Sequence, residues 1–495
     1  MTTALQDSRT FWELVERRAA MAPDALMFVD ERDRRITYGE FKERAERVAA
    51  GLHDLGIAPG TSVTWQLPTR LETVLVSVAL ARLGAVQNPI LHIYREREVK
   101  FVLGHQRSPF YVCPGVWRDV DFPAMAAESG AQVIVAYDEL PEGDPSTLPP
   151  PPADGDEIRW IYFTSGTTSD PKGVQHSDRT LIAGGYGLAH AVQLDESDVG
   201  SMVFPFAHIA GPDYLVMMLI EGFSTVLMEA FVIGDAIPLF ARNGVTMAGG
   251  STAFYLMYLT EQRKQPGEPI IPTLQYLSGG GAPKPPELFY EVQREMGIRT
   301  LHGYGMTECP MISQGSPRDT DEQLANSEGA PVFGCEVSIV DGEVRLRGPM
   351  VCKGYTDPEL TKAAFDDEGR FRTGDLGHLR DDGHLVLTGR LKDVIIRKGE
   401  NISAKEIEDV LYEHPKVKDI AVIGVSDRER GEMVCAVVET PDGSEPLTFD
   451  ELVTHCTAAG LMRQKIPERL EVVDALPRNQ TLNKILKYKL REQYG

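Results

Sequence analysis

The chain has 495 residues, 42% hydrophobic and 25% charged, an ordinary composition for a soluble globular protein and too long for one compact core. Its formal net charge of −23 repels nucleic acid and acidic membranes, although local cations decide whether an anionic nucleotide binds. The six cysteines (Cys113, Cys309, Cys335, Cys352, Cys435 and Cys456) form no CxxC pair, which argues against a zinc site or a disulfide framework and fits reduced thiols in a cytoplasmic protein.

The opening MTTALQDSRTFWELVERRAA is a polar helix start and not a signal peptide. The longest apolar runs are too short to span a bilayer, so no integral membrane segment is expected. Helical spacing over 11–22 ends at Pro23. A second helix is predicted over 38–55 with Gly56 as its C-cap, a strand over 62–67, and a helix over 73–83 closed by Gly84. Residues 83–103 read as strand, loop and helix. This alternation predicts an α/β architecture with largely parallel sheets. Residues 141–156, PEGDPSTLPPPPADGD, are Pro-rich and acidic and read as an exposed linker without regular structure.

A short β-type run then leads into IYFTSGTTSDPKGV at 161–174. Thr164, Ser165, Thr167 and Thr168 surround Gly166, and Lys172 follows. Hydroxyls donate to phosphate oxygens, successive backbone N–H groups in such a turn form an anion-binding concavity, and Lys172 adds positive charge. The spacing is not that of a Walker loop. A helix is expected over 181–192. His208 then stands between apolar runs in MVFPFAHIAGPDY, and Gly279–Gly280–Gly281 with Ala282 reads as a tight turn opening a helix. In LHGYGMTECPM at 301–311, Tyr304 offers a ring that could stack on adenine and Thr307 a hydroxyl for the α-phosphate. Glu308 offers a hard carboxylate suited to Mg2+. In FRTGDLGHL, Asp375 can accept two hydrogen bonds from a ribose diol, and Arg390 adds a second ribose or phosphate contact. Residues 402–415 read as a helix with a Ser403/Glu406 capping box, followed by strands over 417–425 and 433–440.

Taken together, TSGTTSDPKGV, the glycine turn, YGMTE, TGD and the terminal LPRNQTLNKILKYKLRE resemble, in order, the motifs of the adenylate-forming superfamily. That superfamily holds acyl-CoA synthetases, luciferases and the adenylation domains of peptide synthetases. Ser169 stands where the family usually has Gly, and Asn483 where it has Gly before the catalytic lysine.

The resemblance implies a large N-terminal adenylation domain over 1–391, built from two α/β subdomains with mixed sheets and a β-rich subdomain. A small mobile α+β lid over 392–495 would turn on a hinge at Lys392. It implies that Gly280, Gly281, Ala282, His302, Gly303, Tyr304 and Gly305 lie along the nucleotide. Lys484, with Lys487 and Lys489 as alternative registers, matches the catalytic lysine. Lys398, Gly399, Glu400 and Asn401 would form the pantetheine tunnel. His208 would gate the acyl pocket beside Ile209, Gly211 and Met311. Amino-acid-activating relatives place an Asp where Ile209 stands, and no Lys or Arg lies among the pocket residues, so an apolar monocarboxylic acid (medium-chain fatty, alicyclic or aromatic) is expected.

The expected activity is an AMP-forming acid–CoA ligase using ATP, Mg2+ and coenzyme A. The expected partners are a small carboxylic acid and coenzyme A, with a homodimer as the commonest oligomer. Three other activities share some of these motifs: an adenylation enzyme loading a carrier protein in trans, a luciferase-like oxygenase, and a non-catalytic nucleotide-binding protein.

Overall fold

The computed structural model describes residues 3–164, 171–397, 400–428, 430–478 and 484–495. The fold is mixed α/β, with a large N-terminal domain and a small C-terminal one. At the centre of the large domain is a seven-stranded sheet in the order Gly354–Tyr355, Lys172–Ser177, Ile158–Thr164, Val86–Pro89, Ser62–Trp65, Phe110–Cys113, Gln132–Val135. Its last five strands run parallel, and Lys172–Ser177 and Gly354–Tyr355 add an antiparallel edge. Strands covered on both faces read as unbroken apolar runs; all four residues of Phe110–Cys113 are buried.

The helix Leu71–Leu83 has all thirteen residues buried and ends at Gly84, which adopts φ 69°. A helix apolar on every side can only sit inside the layers. Its one acid, Glu72, is paired with Arg34 at 2.5 Å and Arg70 at 3.2 Å, as a buried charge requires. The amphipathic helix Tyr38–Asp54 covers it, started by a full Thr37/Glu40 capping box.

Two further sheets complete the α/β part. One has four strands, Val199–Met202, Ser224–Leu227, Leu26–Asp30 and Arg35–Thr37; the other has five, Met247–Gly250, Tyr276–Gly280, Arg299–Met306, Cys309–Gln314 and Ala330–Pro331. The helices Asp178–Val192 and Ala210–Glu221 pack closely because Gly184 and Gly185 face the contact; a Cβ on Gly185 would collide with Val216. The first of these helices starts three residues before the sequence suggests, since Ser177 caps it by accepting from Thr180 N–H.

Residues 141–156 are mostly exposed and irregular, as expected of a linker, but they are packed against the large domain and are not free of it. Pro145–Thr147 forms a 3-10 turn capped by Asp144, and Leu140 and Leu148 pack on the main core. Arg82 donates to Pro149 O at 2.9 Å, and Glu142 takes Arg44 and Arg47 at 3.2 and 3.0 Å. The backbone of Pro141 lies so close to Gly51 that a Cβ there would clash. The strap lies along the helix face that carries Arg44, Arg47 and Gly51.

An antiparallel sheet, Glu336–Val340, Glu343–Arg347, Phe371–Leu379 and Leu385–Arg390, closes the large domain. After a 3-10 turn at Leu391–Asp393, the small domain has its own core of Ile395, Ile407, Leu411, Val422, Val434 and Leu452. Its helix Ala404–Tyr412 has only half of the expected capping box. Ser403 accepts from Glu406 N–H, but the Glu406 carboxylate is taken by Lys465 at 2.6 Å. The Ser403 hydroxyl also donates to Thr388 O, joining the two domains.

Candidate active site

Two hairpins and the last strand of the antiparallel sheet converge on one place. In the first hairpin, Ile158–Thr164 pairs with Lys172–Ser177 so that Thr164 stands opposite Lys172. The expected phosphate-loop residues Ser165, Gly166, Thr167 and Thr168 lie outside the described residues.

The second hairpin joins Arg299–Met306 to Cys309–Gln314 through the two-residue turn Thr307–Glu308, with Met306 opposite Cys309. This turn is pinned on both sides. The His176 imidazole, neutral because burial lowers its pKa to about 4, donates from Nε2 to Thr307 O at 2.7 Å. Cys352 N–H donates to Glu308 O at 2.8 Å. The Glu308 side chain is only 8% exposed; burial raises its pKa, opposed by the Tyr355 hydroxyl donating to Oε1 at 2.8 Å and by the charge of Lys172. The Lys172 ammonium in turn lies 5.7 Å from the centre of the Tyr355 ring.

A second carboxylate stands nearby. Asp375, 5% exposed, accepts from Tyr304 Oη at 2.5 Å and pairs with Arg390 Nε at 2.9 Å across the register Asp375–Arg390. The Tyr304 ring is buried among Val174, Cys309 and Ile312, so the tyrosine both packs and orients this acid.

The C-terminal lysine comes to the same place. Lys484 is half-buried, and its pKa is lowered to about 8, first by burial, then by Arg390 and Lys392, with Asp375 opposing. Its charge also acts on His208, whose pKa burial has already lowered to about 4. The alternative registers point elsewhere: Lys487 pairs with Glu408 at 2.7 Å inside the small domain, and Lys489 is exposed. Lys392 lies in the 3-10 turn between the domains, its pKa lowered by burial and by Arg390. Of the expected tunnel, Lys398 and Gly399 lie outside the described residues, and Glu400 is exposed at the start of the strand Glu400–Ile402.

His208 caps its own loop, Nδ1 accepting from Ala210 N–H at 3.2 Å. The loop is held by Thr69, whose hydroxyl donates to Phe204 O at 2.8 Å and accepts from Phe206 N–H at 2.9 Å. Ile209 is buried, Gly211 is pressed against Phe206 O, and Met311 is half-buried.

The glycine turn differs from expectation. Gly279 and Gly280 are the last residues of Tyr276–Gly280, and the next helix, Pro286–Met296, starts well beyond them. A Cβ on Gly280 would strike Gly303 O on the neighbouring strand, so bare backbone is required there by strand contact. Gly281 then turns at φ 80°. Ala282 O meets His302 Nε2 at 3.1 Å, and His302, neutral with a pKa near 3, also faces Glu328 at 3.3 Å. Gly303 and Gly305 are strand residues of the second hairpin, packed against Gln314 and Pro310 O.

Several neighbours escaped the sequence reading. His176 sits just beyond the motif at 161–174, and Tyr355 lies inside GEVRLRGPMVCKGYTDPELT at 342–361, a block that resembles the family's β-rich subdomain but assigns the tyrosine no role. Asp213, one helical turn after Ile209, is a buried acid whose pKa burial raises to about 8. Lys284 donates to Ala325 O at 2.7 Å with its pKa lowered to about 8 by burial. A count of apolar residues over 208–214 hid Asp213, and Lys284 reads as a surface charge after a Pro.

Among the described residues no group of three or more His, Cys, Asp or Glu could hold a metal by itself. A single buried, hard carboxylate at Glu308 beside Lys172 still fits Mg2+, which characteristically takes one or two carboxylates and draws its other ligands from phosphate oxygens and water.

Known proteins resemble this chain over nearly its whole length. The family described as AMP-binding enzyme matches residues 15–356, and the AMP-binding enzyme C-terminal domain matches 406–482. The chain is 31% identical to the medium-chain fatty-acid–CoA ligase of Escherichia coli (strain K12), over 97% of this chain and 89% of that one. The crystal structure of ATP-bound MatB from Rhodopseudomonas palustris superposes with a TM-score of 0.86 at 28% identity, covering 97% and 98% of the two chains. O-succinylbenzoate coenzyme A synthetase from Bacillus subtilis, solved with ATP and magnesium ion, gives 0.81 at 28%, with the same coverage.

Proposed function

The chain belongs to the AMP-binding enzyme family and is an AMP-forming acid–CoA ligase using ATP, Mg2+ and coenzyme A, and we propose that its acid is an apolar monocarboxylate activated in the neighbourhood of Lys484 and Asp375. The observation that carries this is a half-buried lysine of the C-terminal domain that lies near enough to Asp375 and Arg390 for their charges to act on it, and near enough to His208 for its own charge to act there. That arrangement suits adenylation.

In the first half-reaction the substrate carboxylate attacks the α-phosphorus and pyrophosphate leaves. Little covalent help is needed, and positioning with charge neutralisation dominates. Asp375 accepts from the ribose diol, with Tyr304 and Arg390 keeping it oriented. The Thr307 hydroxyl and the Lys484 ammonium stabilise charge at the α-phosphate, while Thr164 and Lys172 flank the outer phosphates. Mg2+ held at Glu308 would neutralise phosphate charge. His176 and Cys352 keep the Thr307–Glu308 turn in place.

In the second half the coenzyme A thiol attacks the acyl-AMP carbonyl and AMP leaves. The small domain, 392–495, turns about Lys392, withdraws Lys484 and brings Lys398, Gly399 and Glu400 to the thiol path. The acid binds beside His208, Ile209, Gly211 and Met311. No Lys or Arg stands among these to pair a second carboxylate, and the likeness to a medium-chain fatty-acid–CoA ligase supports a medium-chain tail, with an alicyclic tail the other candidate. No helix among the described residues is long and apolar enough to cross a membrane. We place the enzyme in the cytoplasm, as a homodimer.

The test is pyrophosphate release with MgATP over acids from acetate to palmitate, with cyclohexanecarboxylate, benzoate and several amino acids, each with and without coenzyme A. Acyl-CoA from one group of apolar acids is expected. Pyrophosphate without thioester would make a carrier protein the acceptor, and release with amino acids alone would overturn the substrate class.

A further inference from the structure

Tyr355 stands between the two groups that must grip a metal–nucleotide complex. It ends the short strand Gly354–Tyr355, which pairs with the strand carrying Lys172, Val174 being opposite Tyr355. That edge is held firmly: Lys353 N–H donates to Gln175 O and Thr356 N–H to Gly173 O, both at 2.8 Å, and Tyr355 N–H donates to Thr361 Oγ1 at 2.8 Å. A Cβ on Gly173 would come within 2.8 Å of Thr356 Oγ1, so the two strands are as close as they can be. From this fixed backbone the phenol reaches both ways. Its hydroxyl donates to Glu308 Oε1 at 2.8 Å, and its ring lies 5.7 Å from the Lys172 ammonium.

The chemistry of these contacts is specific. A phenol donates one proton, so it occupies Oε1 and leaves Oε2 as the oxygen offered to a cation. A cation over a ring face is held by the ring quadrupole without using its N–H donors, so the Lys172 donors stay available for phosphate. The buried Glu308 gains an uncharged partner that does not compete with a metal for charge.

We propose that Tyr355 is a positioning residue for the metal-bearing phosphates: its hydroxyl orients Glu308, its ring seats Lys172, and the two act as one grip. This rests on the adenylation reading above. Partners that orient a metal-binding side chain typically contribute about 10- to 100-fold in metal affinity.

Tyr355→Phe keeps the ring and removes only the hydroxyl. The expected result is a rise of about 10-fold in the Mg2+ concentration giving half-maximal pyrophosphate release, with the KM for acid within about twofold of the parent. A readout independent of turnover is the rise in Tm on adding ATP. In EDTA that rise is expected to match the parent, because Lys172 keeps its ring. The further increment on adding Mg2+ is expected to shrink. In a Glu308→Gln background, Tyr355→Phe is expected to change nothing more. An unchanged Mg2+ requirement and Mg2+ increment, or an effect of equal size in the Glu308→Gln background, would overturn the proposal. A parent enzyme that released no pyrophosphate with any acid would refute the adenylation reading instead, and the Tm comparison would still decide the role of Tyr355.

Discussion

At Lys484 burial and the charges of Arg390 and Lys392 outweigh Asp375, and the ammonium gives up its proton near pH 8 instead of above 10. The charged form is the one that stabilises a phosphate oxyanion, so activity needs the pH to stay below that value. For the free enzyme, kcat/KM for pyrophosphate release is therefore expected to be level up to about pH 8 and to fall above it. A flat profile through pH 9.5, or a limb that survives in Lys484→Arg, would assign the titration to another group.

Much at this scale was legible. Asp375, Thr307, Glu308 and Lys484 belong to short strings whose order along the chain is informative; in the structure Asp375 pairs with Arg390, and the charges of both act on Lys484. The residues that hold them were not legible. His176 and Tyr355 act through contacts 131 and 47 positions away in the chain, and no local pattern encodes a partner at that separation. Asp213 escaped because its meaning lies in burial, which its neighbours in sequence do not disclose.

Among the elements, the helix pair Asp178–Val192 and Ala210–Glu221 shows how little room the interior leaves. Gly185→Ala gains about 1 kcal/mol of helix propensity, but its Cβ meets Val216 and Asp213 O, an overpacking that costs about 1–3 kcal/mol. The second effect wins because Asp213 O is backbone and cannot move aside. Gly234, in the helix Ile233–Asn243, has nothing within 4 Å of such a Cβ, so Gly234→Ala collects the gain alone. Denaturant midpoints are expected to fall for the first variant and rise for the second; movement in the same direction would contradict this packing account.

Helices and strands were largely visible in the sequence, because apolar periodicity and the glycine stop at Gly84 are local signals. The strap at 141–156 was misread for the opposite reason. Its composition does suit a free chain, and only the matching surface of Tyr38–Asp54, with Arg44 and Arg47 facing Glu142, turns it into a packed segment. The capping box at Ser403 was half wrong because a distant partner, Lys465, competes for Glu406.

For the molecule as a whole, the reading requires two arrangements of the small domain on the large one. In the structure Ser403 donates to Thr388 O and the charge of Asp375 acts on Lys484, the arrangement that the proposal assigns to adenylation. Lys392 lies in the short turn Leu391–Asp393, and proline there would fix φ at the proposed hinge. Lys392→Pro is expected to slow thioester formation from supplied acyl-AMP by tenfold or more, on the order of 1.4 kcal/mol, while pyrophosphate release with acid and ATP changes far less. Equal losses in both halves would remove Lys392 from the hinge.

The central claim is that one lysine serves the first half-reaction and is dispensable in the second, and Lys484→Ala tests it most directly. Its two rates would be measured side by side: acyl-AMP formation from acid and MgATP, and acyl-CoA formation from synthetic acyl-AMP and coenzyme A. The account predicts that the first falls by orders of magnitude and that the second stays within a few-fold of the parent. Adenylation that survives the substitution, or both halves lost together in a folded protein, would contradict it.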